Sequence, residues 1–208
     1  MPTFLLLAGP NGAGKSTVGD DLEIKNPSLI RMDPDRSYKR ISESNPGYNN
    51  KQINQLLQDE FRRLTNLAYR ERRDLLLETN LSGWEYLFQK EFKEAGYHTN
   101  LSFIALENTL LAIDRVEKRV AKGGHFVDQE SIEENFRIGL INLKDQAHTF
   151  DEFNLYESGV EGKRPRWLFQ LTHQGVIYQA DSVKPFYQEI ISTVKRNWDN
   201  ERSLGLSY

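Results

Sequence analysis

The chain has 208 residues, 38% of them hydrophobic and 27% charged, and its 27 Lys and Arg against 30 Asp and Glu give a formal net charge of −3. This balance is typical of one soluble globular domain and argues against a protein whose whole surface coats a nucleic acid. The absence of Cys excludes disulfides, thiol catalysis and Cys-ligated metal sites. No apolar run approaches the roughly 20 residues of a membrane span, so we expect no membrane contact and a cytoplasmic protein.

Short apolar runs alternate with amphipathic stretches along the chain. The hydrophobic pattern predicts strands over residues 3–8, 28–32, 74–78 and 99–106, and a late pair over 167–172 and 176–179. Helical spacing predicts helices over residues 16–25, 52–70, 84–95, 108–122, 129–148 and 182–198. Strands that alternate with helices favour an α/β fold, with a mostly parallel sheet covered by helices on both faces.

A glycine-rich motif follows the first predicted strand. Residues 9–17 read GPNGAGKST and match G-x-x-x-x-G-K-[ST] in full, which favours a P-loop over an ordinary strand-to-helix turn. Small residues let backbone N–H groups approach phosphate oxygens, and the following helix adds the positive end of its dipole. Lys15 is then expected at the β- and γ-phosphates, and the Ser16 hydroxyl suits Mg²⁺. The predicted nucleotide-binding residues are Gly9, Pro10, Asn11, Gly12, Ala13, Gly14, Lys15, Ser16 and Thr17.

Two aspartates follow the second predicted strand, in the segment Met32-Asp33-Pro34-Asp35-Arg36. Ligands of open α/β sheets bind at the carboxyl ends of strands, so a carboxylate here is placed to take the proton of an acceptor hydroxyl. Asp before Pro and a polar helix start is also a common helix cap. The local sequence leaves both roles open, and both hold if Asp33 caps a helix and Asp35 acts as the base.

Polar residues also follow the third predicted strand, where Leu75-Leu76-Leu77 leads into Glu78-Thr79-Asn80. The pattern is typical of a buried strand that emerges at a catalytic edge, and it favours a site. Glu78 is a candidate for holding an acceptor hydroxyl or a Mg²⁺-bound water, and Thr79 and Asn80 add hydrogen-bonding groups. The alternative is an ordinary strand end, with Ser82 as the cap of the next helix.

A stripe of cations lies on the helix predicted over residues 108–122. Arg115, Arg119 and Lys122 stand at i, i+4 and i+7, without an acidic partner at that spacing in the helix. An anion facing the stripe explains the pattern, because phosphoryl transfer needs positive groups at the transferred oxygens. The alternative is a solvated face paired with distant acids. Gly123-Gly124 is then a C-cap or hinge, and His125 is expected to be a loop or hinge residue.

The order and content of four motifs in this chain resemble those of the zeta toxin family of P-loop kinases and its shorter bacterial relatives. The four motifs are GPNGAGKST, MDPDR, ETNLSG and DRVEKRVAKGGHFV. The resemblance covers roughly residues 3–145, with a weaker echo at 154–158. It implies a P-loop NTPase/kinase fold, here a single domain over residues 1–208 with a helical lid at about 108–148. It also implies ATP and Mg²⁺ as cofactors and a hydroxyl acceptor, which in the founding members is the 3′-hydroxyl of the sugar in UDP-N-acetylglucosamine.

The resemblance also implies roles for single residues. Lys15 and Ser16 would hold the triphosphate and Mg²⁺. Asp35 would be the catalytic base, with Asp33 as the nearby second choice. The other implied site residues are Glu78 and Thr79 at the acceptor sugar, and Arg115 with its companion Arg119 on the lid.

Three functions follow as hypotheses. The first is an ATP-dependent phosphotransferase of the zeta type, acting on UDP-N-acetylglucosamine or another sugar or nucleotide, with an antitoxin protein as a partner by resemblance. The second is a polynucleotide 5′-hydroxyl kinase, against which the net charge of −3 and the lack of a broad Arg and aromatic surface argue, so nucleic acid is not favoured as a partner. The third is a non-catalytic, nucleotide-dependent interaction or switch module.

Overall fold

The computed structural model describes residues 1–83, 85–124, 126–160 and 162–203. In chain order, the strands of this part are β1 (Thr3–Ala8), β2 (Ile30–Met32), β3 (Leu75–Thr79), β4 (His98–Ala105), β5 (Glu152–Glu157), β6 (Arg166–Thr172) and β7 (Gly175–Gln179). They form a seven-stranded sheet in the order β2-β3-β1-β4-β5-β6-β7. The strands from β2 to β5 pair in parallel, whereas β6 and β7 extend the sheet as an antiparallel hairpin.

Successive side chains of β1 point to opposite faces of the sheet and enter two different apolar clusters, one on each face. Helices cover both faces and complete these clusters. Phe4 and Leu6 belong to the larger cluster, while Leu7 belongs to the smaller one. Within the described ranges, no helix combines the length and the apolar composition that crossing a bilayer requires. The helices are α1 (Lys15–Lys25), α2 (Pro34–Ser44), α3 (Asn50–Glu71), α4 (Phe88–Glu94), α5 (Thr109–Ala121), α6 (Gln129–Gln146) and α7 (Pro185–Ser203), with short 3₁₀ turns at Glu85–Leu87 and Ala147–Thr149.

The predicted α/β fold with a mostly parallel sheet is confirmed, and two elements were missed. Helix α2 was missed because its one aliphatic side chain is Ile41, which is buried together with Ser37, and a single aliphatic residue gives no repeating hydrophobic pattern. Strand β5 lies between β4 and β6, and these pairings rather than its own mixed composition determine it. The second strand begins at Ile30 rather than at residue 28, because the amide of Leu29 bonds to the carbonyl of Asn26 in a turn.

The parallel register brings the predicted motifs to one edge of the sheet. Ala8 of β1 lies beside Thr79 of β3, and Met32 of β2 lies beside Leu77 of the same strand. The P-loop, the aspartate pair and the polar end of β3 therefore leave the sheet side by side, where open α/β sheets bind their ligands.

Candidate active site

A cleft of about 410 Å³ opens at the carboxyl edge of the sheet. It brings together side chains from each of the clusters that the sequence singled out. Gly9 and Pro10 lie behind the cleft, where their carbonyl oxygens accept hydrogen bonds from Lys15. The predicted residues that line the cleft are Asn11, Gly12, Ala13, Gly14, Lys15, Ser16, Thr17, Asp33, Asp35, Glu78, Thr79, Asn80, Arg115 and Arg119.

Close backbone packing shapes the P-loop between β1 and α1. Gly9 has φ 147°, and a Cβ there would lie 2.3 Å from the carbonyl oxygen of Ile104. Gly12 has φ 77°, and a Cβ there would lie 2.9 Å from the Cβ of Arg115. Larger residues at these positions would displace β4 or α5, so the two glycines allow the loop to pack closely against both elements.

The Lys15 ammonium points back into the loop. Its Nζ donates to the carbonyl oxygens of Gly9 (2.7 Å) and Pro10 (3.2 Å) and to Oδ1 of Asn80 (2.8 Å). Burial lowers the pKa of Lys15 to about 8, although the nearby carboxylates of Glu78 and Asp35 act in the opposite direction. The ammonium is thus held among neutral oxygens and lacks a direct carboxylate partner among the described residues, which leaves its charge for an anionic ligand.

This lowered pKa predicts that nucleotide binding depends on pH. The charged ammonium favours an anion, so below pH 8 the ligand-free protein already carries the form that binds. Above that pH, binding must take up a proton, and the affinity for ATP should fall by up to about tenfold per pH unit. Calorimetry at pH 7 and pH 9 measures the change. A Lys15→Ala variant should show no such fall, and a wild-type affinity that is equal at both pH values would contradict the assignment.

Ser16 and Glu78 form a pair of oxygen ligands beside the lysine. The Ser16 hydroxyl donates to Oε2 of Glu78 at 3.0 Å, and the Glu78 side chain is almost fully buried. Burial and the nearby carboxylate of Asp33 raise the pKa of Glu78, while Arg31 lowers it. In kinases, Mg²⁺ is bound by one or two oxygen groups of the protein next to the phosphates. Ser16 and Glu78 therefore fit the metal that the family implies.

The two aspartates of the Asp-Pro-Asp segment have different environments. Oδ1 of Asp33 accepts the amide of Arg36 at 3.1 Å, so Asp33 is the N-cap of α2 and is largely buried. Asp35, in the first turn of the same helix, is exposed and lines the cleft. Asp35 also acts electrostatically on the Lys15 ammonium. The structure therefore leaves the Asp35 carboxylate open to a ligand, whereas Asp33 is occupied as a cap.

Hydrogen bonds within the protein fix the segment after β3. The Thr79 hydroxyl accepts the amide of Leu81 at 2.9 Å, and Leu81 has the left-handed φ of 61°. Asn142 of α6 donates to the Leu81 carbonyl at 2.8 Å. Since Asn80 bonds to Lys15, both Thr79 and Asn80 hold the loop and the lysine in place, in addition to lining the cleft. The predicted helix start at Trp84 lies outside the described residues.

The two predicted lid arginines make different contacts. Nη1 of Arg115 donates to the Gly12 carbonyl (3.1 Å) and to the Ser158 hydroxyl (2.6 Å), and its Nη2 donates to the Gly159 carbonyl (2.5 Å). Arg115 therefore ties the loop after β5 to the P-loop. One helical turn later, Arg119 lines the cleft close enough to Lys15 to lower the pKa of its ammonium. The predicted hinge residue His125 lies outside the described residues.

Two residues that make contacts at the site were not among the predicted site residues. Nδ2 of Asn135 in α6 donates to Oδ1 of Asn11 in the P-loop at 3.1 Å. Arg31 of β2 is nearly buried, and it bonds to Glu78 and to the backbone carbonyl of Ser16. The signal for Arg31 was its charge within the otherwise apolar second strand. The contact of Asn135 with the P-loop could not be predicted, because its partner lies 124 residues away.

Comparisons with known proteins identify the family and the fold. The family model described as Zeta toxin matches residues 1–164. A search of curated proteins finds no significant match. Similar solved structures include the PezAT toxin-antitoxin system of Streptococcus pneumoniae, at 13% identity and a TM-score of 0.60, covering 96% of this chain and 87% of that chain.

Two further solved structures share the fold but are longer. The complex of AvrRxo1-ORF1 and -ORF2 with ATP has 12% identity and a TM-score of 0.60, covering 94% of this chain and 64% of that one. The Pnkp1/Rnl/Hen1 RNA repair complex has 16% identity and a TM-score of 0.55, covering 68% of this chain and 45% of that one. At these identities the likenesses show a common P-loop kinase fold. Because the family model spans most of its length, the chain belongs to the zeta toxin family.

Proposed function

We propose that this chain is a kinase that transfers the γ-phosphoryl group of ATP to a hydroxyl group of a small molecule. The observation that carries the proposal is the composition of the cleft. A P-loop lysine, a Ser16–Glu78 oxygen pair, an open aspartate and an arginine face the same volume. Each of these groups has a place in phosphoryl transfer, and a nucleotide-binding module without an acceptor has no use for the open carboxylate of Asp35.

The protein groups have separate tasks in this reaction. Lys15 and the P-loop amides bind the β- and γ-phosphates, and Ser16 with Glu78 would hold the nucleotide's Mg²⁺. When bound, Mg²⁺ neutralises charge on the phosphate oxygens. Asp35 accepts the proton of the acceptor hydroxyl while the hydroxyl oxygen forms a bond to the γ-phosphorus. The bond between the γ-phosphorus and the oxygen that bridges it to the β-phosphate breaks, and ADP leaves with that oxygen. Arg119 stabilises the negative charge on the transferred group.

We propose a supporting role for Arg115, because its guanidinium is engaged by backbone and hydroxyl oxygens of the P-loop and of the loop after β5. Closing that loop onto the P-loop narrows the cleft and excludes water, which otherwise competes with the acceptor. We propose the segment of about residues 108–148 as the helical lid, on the strength of the family. Its two helices are anchored at the side that faces the sheet, since Ala112 of α5 and Leu143 of α6 are fully buried.

We propose UDP-N-acetylglucosamine as the first acceptor to test, on the strength of the family. Incubation with Mg²⁺-ATP should give a product heavier by about 80 Da, the mass of one phosphoryl group, when read by mass spectrometry. A 5′-hydroxyl oligonucleotide in a parallel reaction should stay unmodified. Phosphorylation of the oligonucleotide alone would contradict the small-molecule assignment and favour a polynucleotide kinase.

An antitoxin protein is a further proposed partner. The support is membership of the zeta toxin family and the shared fold with the chain from the PezAT toxin-antitoxin system. An antitoxin that covers the cleft would block nucleotide binding and transfer together, because the same cleft serves both.

A further inference from the structure

Arg31 is a charged side chain in an almost fully buried position, with 4% of its side chain exposed. Its Nε and Nη2 lie 2.7 and 2.6 Å from Oε1 of Glu78. Its Nη1 donates to Asp20 (2.5 Å) and Glu23 (2.6 Å) of α1, and Nη2 also donates to the backbone carbonyl of Ser16 (3.2 Å). Arg31 thus joins β2, β3 and the P-loop helix at one point, directly behind the cleft.

The Glu78 carboxylate is divided between two partners. Oε1 accepts a hydrogen bond from Nε of Arg31 and forms an ion pair with its Nη2, while Oε2 accepts a hydrogen bond from the Ser16 hydroxyl at 3.0 Å. A carboxylate that is anchored through one oxygen has its other oxygen fixed in direction. Without the guanidinium, the buried Glu78 would lose the cation that bonds to it directly while it still faces the carboxylate of Asp33, and its orientation toward Ser16 would be lost.

Gly19 provides a second, independent observation. It lies one turn after Ser16 in α1 and is buried. A Cβ at this position would lie 2.5 Å from Oε1 of Glu78 and 2.8 Å from Cζ of Arg31. The missing side chain is therefore what admits the Arg31–Glu78 pair beneath the P-loop helix.

We propose that Arg31 is a positioning residue of the phosphate site, which fixes the Glu78 carboxylate against the Ser16 hydroxyl so that the two oxygens act as one magnesium-binding pair. The inference rests on the proposed function and assigns a supporting residue to it. Lys15 bonds to Gly9, Pro10 and Asn80 rather than to Arg31. Loss of Arg31 should therefore weaken binding of the nucleotide with its metal much more than binding of the nucleotide alone.

The test compares the affinity for a non-hydrolysable ATP analogue in EDTA and in saturating Mg²⁺, by calorimetry. The ratio of the two affinities is the magnesium gain. Arg31→Met should reduce this gain by about tenfold or more, because outer-shell partners of metal ligands typically contribute 10–100-fold to metal affinity. The affinity in EDTA should stay within about twofold of the wild type, since the P-loop contacts are kept.

Arg36→Met is the matched control. The Arg36 guanidinium faces the same two acids as Arg31, at 3.6 Å from Asp20 and 3.7 Å from Glu23, but it is 66% exposed and does not touch Glu78. Its removal should leave the magnesium gain at the wild-type value. Equal losses in Arg31→Met and Arg36→Met would assign the effect to the acids of α1 and overturn the proposal.

Gly19→Ala keeps the test decisive if Arg31→Met fails to fold. It retains every charge and pushes the Arg31–Glu78 pair away from α1, so it should show the same selective loss of magnesium gain. If the folded variants keep the full magnesium gain, the inference is overturned but the proposed function is not. An equal fall of the affinities in EDTA and in Mg²⁺ has the same consequence, because it would mark a purely structural role of Arg31. A wild type that binds the analogue in neither condition overturns the proposed function as well.

Discussion

Lys15→Ala should reduce phosphoryl transfer by about 10²–10³-fold or more, the loss typical when one preorganised group that faces developing charge is removed. The physical reason is the position of the ammonium. Its three hydrogen-bond acceptors are two backbone carbonyls and the amide oxygen of Asn80, so the charge is available to phosphate oxygens. ATP affinity and turnover should fall together, because the same charge acts on the bound nucleotide and on the transferred group.

Lys25→Ala is the control for this variant. Lys25 is in the last turn of the same helix and is exposed, so its removal changes the net charge equally without touching the P-loop. Turnover and ATP affinity, measured on both purified variants, should be wild-type in Lys25→Ala alone. A Lys15→Ala protein with wild-type turnover would mean that the P-loop is not the donor site.

Asp35→Asn should lower transfer by about 10²–10⁴-fold, the usual contribution of a general base, while ATP affinity stays near the wild-type value. The amide keeps the shape of the carboxylate but cannot accept the proton of the hydroxyl. Asp35 is in the first turn of α2 and exposed to the cleft, so the substitution should not disturb the core.

Asp33→Asn is the matched comparison, since it makes the same chemical change two residues earlier. Asn caps helices as well as Asp does, so the bond to the Arg36 amide should persist and transfer should remain within a few-fold of wild type. Initial rates at saturating ATP for the two variants decide between the aspartates. A large loss in Asp33→Asn with activity retained in Asp35→Asn would reverse the assignment.

The parts of the site that could be predicted are those that the chain encodes contiguously. Residues 9–17 carry a complete motif, and a strand before it with a helix after it is what the motif requires. The polar end of β3 could be predicted for a similar reason, because three buried leucines give way to Glu78. Parallel strands then place these segments together without further information from the sequence.

The parts that could not be predicted depend on partners that are distant in sequence. Arg31 pairs with Glu78 across 47 residues, and Arg115 reaches Gly12 across 103. A helical wheel places Arg115 and Arg119 on one face, but it does not show that Arg115 is engaged by the loop after β5. The choice between Asp33 and Asp35 was likewise open, because a cap and a base have the same local sequence and differ only in what surrounds them.

The most direct test of the account follows the γ-phosphoryl group itself. ATP labelled with ¹⁸O in that group is incubated with the protein, Mg²⁺ and a set of sugar nucleotides, sugars and nucleosides, and products are read by mass spectrometry. We predict ADP together with an equal amount of one labelled phospho-acceptor, and about 1% or less of either product in Lys15→Ala. The account would be contradicted if the label were recovered only as inorganic phosphate, at a rate that no acceptor changes, because the protein would then be an ATPase and not a kinase. If ATP were bound but stayed intact, the protein would be a nucleotide-dependent switch instead.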